Sequence, residues 1–176
     1  METLETSRLR LLPLTRADYP ELIALYAKPA VMRLITPGGR TELATREFLD
    51  RLLAQAERLG FGNFVLRERS GGALAGDALL IERTPGAPIE LGYALDEPFW
   101  GRGYATEAGR ALIDLAFGPL ALPRLIAVVH EHNQVSIRVL KKLGMREAGR
   151  SPREEGGSNL TFELERAWLA GGSAQR

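Results

Sequence analysis

Alternating apolar and polar side chains predict most of the β-strands in this chain. Leucines alternate with arginines over residues 7–14, which indicates a strand close to the N-terminus. Three further strands are expected at residues 61–68, 73–83 and 89–98. A tight turn at residues 70–72 joins the first two of these into a hairpin.

The remaining strands lie in the last third of the sequence. Residues 124–132 are apolar at successive positions, which is typical of a central strand covered on both faces. Two final strands are expected at residues 145–148 and 160–168. Residues 171–176 are small and polar, and we expect them to form a disordered tail.

Apolar residues spaced three and four apart predict four helices. The first begins after Asp18, which suits an N-cap, and the second runs from a cap at Thr41 to Gly60. The third follows a glycine-rich turn and ends near Gly118. The fourth covers residues 134–143.

These elements follow one another as strand, two helices, three strands, helix, strand, helix and two strands. A segment rich in proline and glycine, residues 28–40, is expected to form a loop with room for a short helix. We predict one α/β (α+β) domain over residues 1–170, with a mixed, mostly antiparallel central sheet of about seven strands flanked by about four helices.

Composition and charge narrow the class of protein. The chain has 23 Lys and Arg against 22 Asp and Glu, so its net charge of +1 gives no sign of a nucleic-acid partner. Cysteine is absent, which excludes disulfides, thiolate-bound zinc and a cysteine nucleophile. No stretch approaches the ~20 apolar residues that span a bilayer, so we expect a cytoplasmic protein with no membrane partner.

The stretch FWGRGYATEAG, residues 99–109, is the strongest local motif. Gly101 and Gly103 allow a sharp turn, and the helix that follows presents unpaired N–H groups to an anion. On its own residues, the stretch is either a glycine turn with an exposed arginine or a phosphate-binding turn. A dinucleotide site is disfavoured because Thr106 stands at the third glycine position of that fingerprint.

The strand before this turn carries one acidic residue. Glu90 shares a strand face with Gly92 and Ala94, so the carboxylate has space beside it for a ligand. A glutamate in this position is either a general base or a solvated side chain at a strand edge.

Two polar clusters surround the end of the strand at residues 124–132. Asn133 and Ser136 suit the N-cap and third position of the next helix, which by itself explains both residue types. His130 and His132 resemble half of a metal site, but no third and fourth ligands can be identified. We therefore expect no metal.

Residues 89–117 and 124–145 together resemble the acetyl-CoA-binding core of the GNAT superfamily of N-acetyltransferases. More narrowly, they are similar to its RimJ/RimL-like branch, the ribosomal-protein N-terminal acetyltransferases. Residues 5–22 also resemble the first strand and helix of that branch. The resemblance covers nearly the whole chain. It implies acetyl-CoA as co-substrate, an amine as acceptor and a fold that allows a homodimer.

The resemblance also implies which residues bind the coenzyme. In that family the backbone amides of the glycine turn hold the pyrophosphate, while a strand residue and an asparagine align the pantetheine arm. The matching positions in this sequence are Leu95, Gly101, Arg102, Gly103, Tyr104, Ala105, Thr106 and Asn133.

For the reaction, the resemblance implies that Glu90 is the catalytic base, acting directly or through water, and that Ser136 protonates the departing thiolate. Many GNAT enzymes use a tyrosine for the second step, at the position that Leu140 occupies here. Ser136, Tyr93 or a water molecule are therefore the alternatives for the acid. The strand at residues 89–98 is also expected to diverge from the next strand.

The acceptor is the least determined part of this picture. The resemblance favours the α-amine of a protein or peptide, while a free amino acid, an antibiotic amine and a polyamine remain alternatives. The second candidate function is a catalytically weak or inactive CoA-binding module on the same fold, with a regulatory or partner-binding role.

Overall fold

The computed structural model describes residues 1–36, 38–153 and 156–171. Eight strands form one sheet in the order β1-β2-β3-β4-β5-β6-β8-β7. Their bounds are β1 Leu4–Glu5, β2 Leu9–Pro13, β3 Asn63–Glu68, β4 Leu74–Ile81, β5 Glu90–Leu95, β6 Arg124–His130, β7 Arg146–Pro152 and β8 Ser158–Glu165. The helices are α1 Tyr19–Tyr26, α2 Pro29–Met32, α3 Glu42–Leu59, α4 Tyr104–Phe117, α5 Gln134–Lys142 and α6 Arg166–Gly171.

All neighbouring strands pair antiparallel except β5 and β6, which are parallel. This mixed, mostly antiparallel sheet confirms the predicted α/β (α+β) class. The strand count is one higher than expected because the two residues of β1 also pair with β2. Within the described ranges no helix is both long and apolar enough to cross a membrane.

Helices cover both faces of the sheet, as the alternation along β4 shows. Leu80 belongs to the core beneath α4 and α5, whereas its neighbours Leu79 and Ile81 belong to the core beneath α1, α2 and α3. Successive side chains of a strand point to opposite faces, so the sheet is the middle of three layers. Each of the four longer helices packs against the sheet with the apolar face that its residue spacing predicted.

The ends of α3 follow the sequence prediction closely. The hydroxyl of Thr41 accepts a hydrogen bond from the Ala44 amide at 3.2 Å, and Gly60 closes the helix with a φ of +77°. Asp18 precedes α1 as predicted, but its side chain does not cap the helix. Its carboxylate instead accepts hydrogen bonds from the amide and hydroxyl of Thr15, at 2.9 and 2.7 Å.

Two short helices complete the set, of which α2 agrees with the short helix allowed for in the sequence and α6 was not predicted. The helix α2 lies inside the expected loop at residues 28–40, and Pro29 occupies its first position, where a missing N–H costs nothing. The helix α6 follows β8 directly, so Trp168 lies in a helix rather than at the end of the last strand. Gly171 ends α6, and the rest of the predicted tail, residues 172–176, lies outside the described residues.

The strands β7 and β8 extend further than predicted into the polar segment between them. Every residue of β7 is exposed, so no buried face marks this edge strand in the sequence. Its hydrogen bonds to β8 hold it in the sheet, with Pro152 opposite Ser158 at the hairpin end. Backbone pairing of this kind leaves no pattern in the side chains.

The strands β5 and β6 diverge. They pair at one register position, Glu90 opposite Ile126, next to a hydrogen bond from the Ile126 amide to the Ile89 carbonyl at 2.9 Å. Beyond this position the two strands separate, as the family resemblance implied, and a cleft opens between them.

A bulge in β4 changes which side chains face this cleft. Leu66 pairs with Gly76 and Arg67 pairs with Leu74, so Ala75 is an extra residue. Gly76 has a φ of +147°, and a Cβ there would lie 2.1 Å from the Ala94 carbonyl oxygen, so only glycine fits. Ala75 packs in the core beneath α4, while Asp77 faces α1.

Candidate active site

A cleft with a volume of about 360 Å³ lies beside the diverging strands. Its lining includes Tyr93 of β5, residues of β6, and Asn133 and Ser136 at the start of α5. It also includes residues of α1, α2 and α3, of the segment before α3 and of the β7–β8 hairpin, together with Asp77 of β4. The cavity therefore joins segments from most of the chain length.

The glycine turn leads directly into α4, close to the C-terminal end of β5. Gly101 and Gly103 have φ values of +73° and +81°, in the left-handed region that favours glycine. The helix begins at Tyr104, and the backbone amides of residues 101–106 donate no hydrogen bond to any other described residue. Free amides at a helix N-terminus are suited to bind an anion such as a phosphate.

Side chains from two distant segments brace the turn: Arg8, just before β2, and Glu68 of β3. The Arg8 guanidinium donates a hydrogen bond to the Arg102 carbonyl at 2.8 Å, and its carbon lies 4.8 Å from the centre of the Tyr104 ring. Glu68 of β3 accepts hydrogen bonds from the Arg102 guanidinium, at 3.3 Å, and from the Tyr104 hydroxyl. Arg102 is thus partly held by a carboxylate, while the main chain of the turn stays free.

Glu107 in the first turn of α4 ties the N-terminal segment to the same place. One of its oxygens accepts hydrogen bonds from the Thr6 hydroxyl at 2.6 Å and from the Arg8 amide at 2.8 Å. Its other oxygen accepts one from the Arg8 guanidinium at 2.7 Å. Burial opposes ionisation of this carboxyl, but the donors from Thr6 and Arg8 lower its pKa below the usual value. The position of Glu107 in the helix did not by itself indicate these hydrogen bonds.

Glu90 lies at the closed end of the cleft, where β5 and β6 still pair. Its side chain is 6% exposed, and both oxygens accept hydrogen bonds from the Arg83 guanidinium, at 2.9 and 2.7 Å. The contact with Glu90 raises the pKa of Arg83 despite its partial burial. Glu90 is therefore a buried, ion-paired carboxylate rather than a solvated side chain at a strand edge.

The start of α5 confirms the predicted cap. The Asn133 side-chain oxygen accepts a hydrogen bond from the Ser136 amide at 3.1 Å. This contact fixes both residues at the wall of the cleft, together with the buried side chain of Leu140. The remaining Asn133 amide group and the Ser136 hydroxyl are the polar groups that this helix brings to the cleft.

Tyr93 brings a second hydroxyl to the same wall. This hydroxyl is buried and has no partner of ordinary hydrogen-bond geometry among the described residues. Burial raises the pKa of Tyr93 to about 12, and its neighbour Ser136 offsets part of that rise. The phenol is therefore protonated at every pH at which a protein normally works. At the end of the same strand, the Leu95 carbonyl accepts a hydrogen bond from the Trp100 indole at 2.7 Å.

The ring of His130, the last residue of β6, lies beside the ring of His132. Their ring centres are 5.2 Å apart, and the His132 amide donates to His130 Nδ1 at 3.1 Å. In the ranges that the structure describes, no three His, Asp or Glu side chains are grouped to hold a metal ion. His130 instead lines the cleft.

The cleft also contains a buried carboxylate that no sequence motif indicated. Asp77 is fully buried, and one of its oxygens accepts hydrogen bonds from the Tyr26 hydroxyl at 2.6 Å and from the Asn63 amide at 2.7 Å. Burial raises the pKa of Asp77 to about 6, and these two donors and the charge of Arg40 limit the rise. A lone acid within the apolar strand LAGDALLI was the one available signal.

Comparison with known proteins identifies the family. The model of the acetyltransferase (GNAT) domain matches residues 8–146, which include the glycine turn and the start of α5. The chain therefore belongs to the GNAT family of acetyltransferases.

Individual relatives agree with this assignment. An acetyltransferase from Agrobacterium tumefaciens is 30% identical and has a TM-score of 0.83, with 94% of this chain and 95% of that chain covered. An uncharacterized N-acetyltransferase of Bacillus licheniformis, p20, is 28% identical over 85% of each chain. RimL, a ribosomal L7/L12 alpha-N-protein acetyltransferase solved in complex with coenzyme A, shares the fold at 18% identity, with a TM-score of 0.80 and coverage of 93% and 98%.

Proposed function

We propose that this protein transfers the acetyl group of acetyl-CoA to a primary amine, with the α-amine of a protein or peptide as the favoured acceptor. One observation carries the proposal: a cleft between diverging strands runs close to a glycine turn whose amides are free. Pyrophosphate suits the turn, and an extended pantetheine arm suits a gap between two strands that leaves their backbone groups unpaired.

On the coenzyme side, the amides of Gly101 and Gly103 and the first turn of α4, residues 104–106, bind the pyrophosphate. Arg102 adds a positive charge. Backbone groups near Leu95 and the side chain of Asn133 align the pantetheine arm.

In the reaction, the neutral amine nitrogen attacks the thioester carbonyl in a ternary complex, a C–N bond forms and the C–S bond breaks. Glu90 takes the proton from the acceptor ammonium, directly or through water, and Ser136 protonates the departing thiolate. Most of the acceleration comes from orientation of the two substrates and from deprotonation of the amine. No covalent enzyme intermediate is required.

The decisive experiment measures CoA release from acetyl-CoA with a panel of peptides, amino acids, polyamines and aminoglycosides. Acetyl transfer to an amine, confirmed by mass spectrometry of the product, is the expected result. Tight binding of CoA by calorimetry with no transfer to any amine would instead favour the alternative function, a CoA-binding module.

Glu90→Gln tests the proposed base. We expect turnover to fall by about a hundredfold near pH 6 and by less near pH 9, because the acceptor is partly neutral at high pH. Affinity for CoA should stay within about twofold. Glu82→Gln is the matched control, because Glu82 pairs with Arg58 at 2.5 Å on a different part of the surface. A pH–rate profile unchanged by Glu90→Gln would remove Glu90 from the mechanism.

The catalytic unit in this proposal is a single domain over residues 1–170. A homodimer stays a prediction, which light scattering after gel filtration would check.

A further inference from the structure

Two polar groups of opposite character lie unpaired in the same cavity. One oxygen of Asp77 accepts two hydrogen bonds, but the other, Oδ1, has no partner among the described residues although the side chain is completely buried. A buried oxygen without a donor is unfavourable. Asp77 lines the cleft, so a ligand there can supply the missing donor.

The second group is the guanidinium of Arg40, which enters the cleft from the segment before α3. It packs on the Phe48 ring, with 4.4 Å between the guanidinium carbon and the ring centre. Its buried Nε has no hydrogen-bond acceptor in the parts of the chain that the structure describes. Partial burial is the main cause that lowers the pKa of Arg40, and the cations Arg83 and Arg51 lower it further. Tyr26 and Asp77 act in the opposite direction.

Arg40 is thus an underpaired cation near a buried carboxylate, yet no hydrogen bond joins its Nε to Asp77 Oδ1. Other charged side chains of the cleft are already paired, as Glu90 is with Arg83. The two unpaired groups therefore require different partners. Asp77 Oδ1 can bind a hydrogen-bond donor, and Arg40 Nε can bind an acceptor.

We infer that Asp77 and Arg40 form the acceptor-binding site and that they select an amine with a carbonyl or carboxylate group next to it. The amine or ammonium donates to Asp77 Oδ1, and the adjacent oxygen accepts from Arg40 Nε. Asp77 lies opposite Ala94 and Glu90 lies opposite Ile81, four register positions away, so the proton that Glu90 takes in the proposed reaction passes through water. Free amino acids and peptide N-termini both contain this α-amino carbonyl unit, whereas a simple alkylamine or polyamine does not.

The surroundings agree with a small acceptor of this kind. Tyr26 and Asn63 hold the Asp77 carboxylate rigidly, so its free oxygen has a fixed direction. Phe48 fixes the plane of the Arg40 guanidinium. Met32 and Leu79 add apolar surface between the charged groups and suit an aliphatic side chain. This inference rests on the proposed acetyl transfer to an amine.

The test compares three acceptors that share a CH3–CH(NH2) unit: alanine, alanylglycine amide and isopropylamine. In isopropylamine a methyl group replaces the carbonyl carbon and its oxygen. We expect the KM of at least one of the first two compounds to be at least tenfold below that of isopropylamine. The lower of those two KM values tells whether a free amino acid or a peptide N-terminus is the better source.

The variants assign the selectivity to residues. Arg40→Gln should reduce the KM difference to less than about threefold, and Asp77→Asn should raise KM for all three amines. Arg51→Gln is the matched control, because Arg51 lies 5.9 Å from the same Phe48 ring but does not line the cleft. Affinity for CoA, measured by calorimetry, should be unchanged in all three variants.

Equal KM values for isopropylamine and the α-amino carbonyl compounds would overturn the inference while leaving acetyl transfer intact. The same holds if Arg40→Gln and Arg51→Gln behave alike. If no amine is acetylated, the proposed function fails. In that case, calorimetry measures the affinity of the CoA-bound protein for alanine, alanylglycine amide and isopropylamine. Equal affinities for the three compounds would overturn the inferred binding site.

Discussion

The proposed site has a coenzyme end, the glycine turn at residues 101–106, and an acceptor end, Asp77 and Arg40, and the two are built from different parts of the chain. At the coenzyme end, one continuous stretch provides the free amides of residues 101–106, and the side chains of Arg8 and Glu68 only brace it. At the acceptor end, Asp77 and Arg40 come from separate segments, and their side chains carry the free polar groups.

The difference has a physical consequence for how each end tolerates change. A main-chain binding site depends on φ and ψ, so many side chains are compatible with it provided that the glycines remain. A site made of buried side chains depends on each residue identity and on the packing that orients it. Substitutions should therefore separate the two ends by which ligand they affect.

The largest effect is expected at the coenzyme end from Gly103→Val. A β-branched residue is strained at a φ of +81°, so the turn should open and lose about two charge-assisted hydrogen bonds to the pyrophosphate. At about 2 kcal/mol each, this loss corresponds to a roughly thousandfold higher dissociation constant for CoA. Isothermal calorimetry measures it.

Gly72→Val is the control for this variant, because Gly72 has a φ of +71° in a hairpin turn with open space around it. Both variants should lose similar folding stability, but only Gly103→Val should lose coenzyme affinity. An equal loss of affinity in the two variants would show that the turn has no special role.

The next largest effect is expected at the acceptor end, on stability rather than on binding. Because burial raises the pKa of Asp77 from 3.8 to about 6, the folded protein binds this proton more tightly than the unfolded chain. The contribution of Asp77 to the free energy of unfolding is therefore fully present below about pH 4 and is lost as the pH rises through 6. The loss is at most about 3 kcal/mol.

Asp77→Asn should remove this pH dependence, because the amide keeps an acceptor for Tyr26 and Asn63 but does not ionise. Urea unfolding measures the free energy of unfolding of both proteins. Between pH 4 and pH 8, the value for the variant minus the value for the wild type should increase by up to about 3 kcal/mol. It should meanwhile bind the acceptor less well. Asp50→Asn, which removes a half-exposed carboxylate, is the control. A stability difference that does not change with pH would contradict this account of Asp77.

A smaller effect is expected between the two ends, at the wall where the thioester would lie. Ser136→Ala should lower kcat by about tenfold, and Tyr93→Phe by about threefold, because each hydroxyl can donate a proton or hydrogen bond to the thiolate. The double variant should be no slower than Ser136→Ala if the hydroxyls act as a unit. Rapid-quench measurement of the chemical step tests this, and multiplicative effects would mean that the hydroxyls act independently.

The smallest effect is expected from Arg8→Met, which removes the brace on the Arg102 carbonyl. The guanidinium is about half exposed, and such ion pairs contribute roughly 1 kcal/mol or less. Affinity for CoA should fall by about threefold. Arg10→Met serves as the control, since Arg10 of β2 pairs with Glu5 of β1 and not with the turn. Equal effects from the two substitutions would show that the brace is not needed.

The same contrast explains what the sequence could predict. The glycine turn and the Asn133 cap were recognisable because each lies within a few consecutive residues, where backbone rules apply. The strands β2 to β6 and the four longer helices were recognisable from their apolar periodicity. The exposed edge strand β7 was predicted too short because none of its side chains is buried.

Which residues act together at the acceptor end was not recognisable for a related reason. Arg40 and Asp77 are far apart in the sequence, and neither belongs to a motif. Only folding brings them to one cavity, and only the complete set of hydrogen bonds shows which polar atoms remain free. Similarly, the pairing of Glu90 with Arg83 depends on a turn between β4 and β5 whose geometry the sequence pattern does not specify.

The bulge at Ala75 also bears on how this family can change over time. The bulge adds one unpaired residue between the hairpin turn at residues 70–72 and the part of β4 that pairs with β5. Asp77 is therefore placed by its pairing with Ala94, not by its distance from the hairpin. Insertions or exchanges in that hairpin can accumulate without rotating the acceptor site, so this loop is a suitable place for lineage-specific additions or engineered tags.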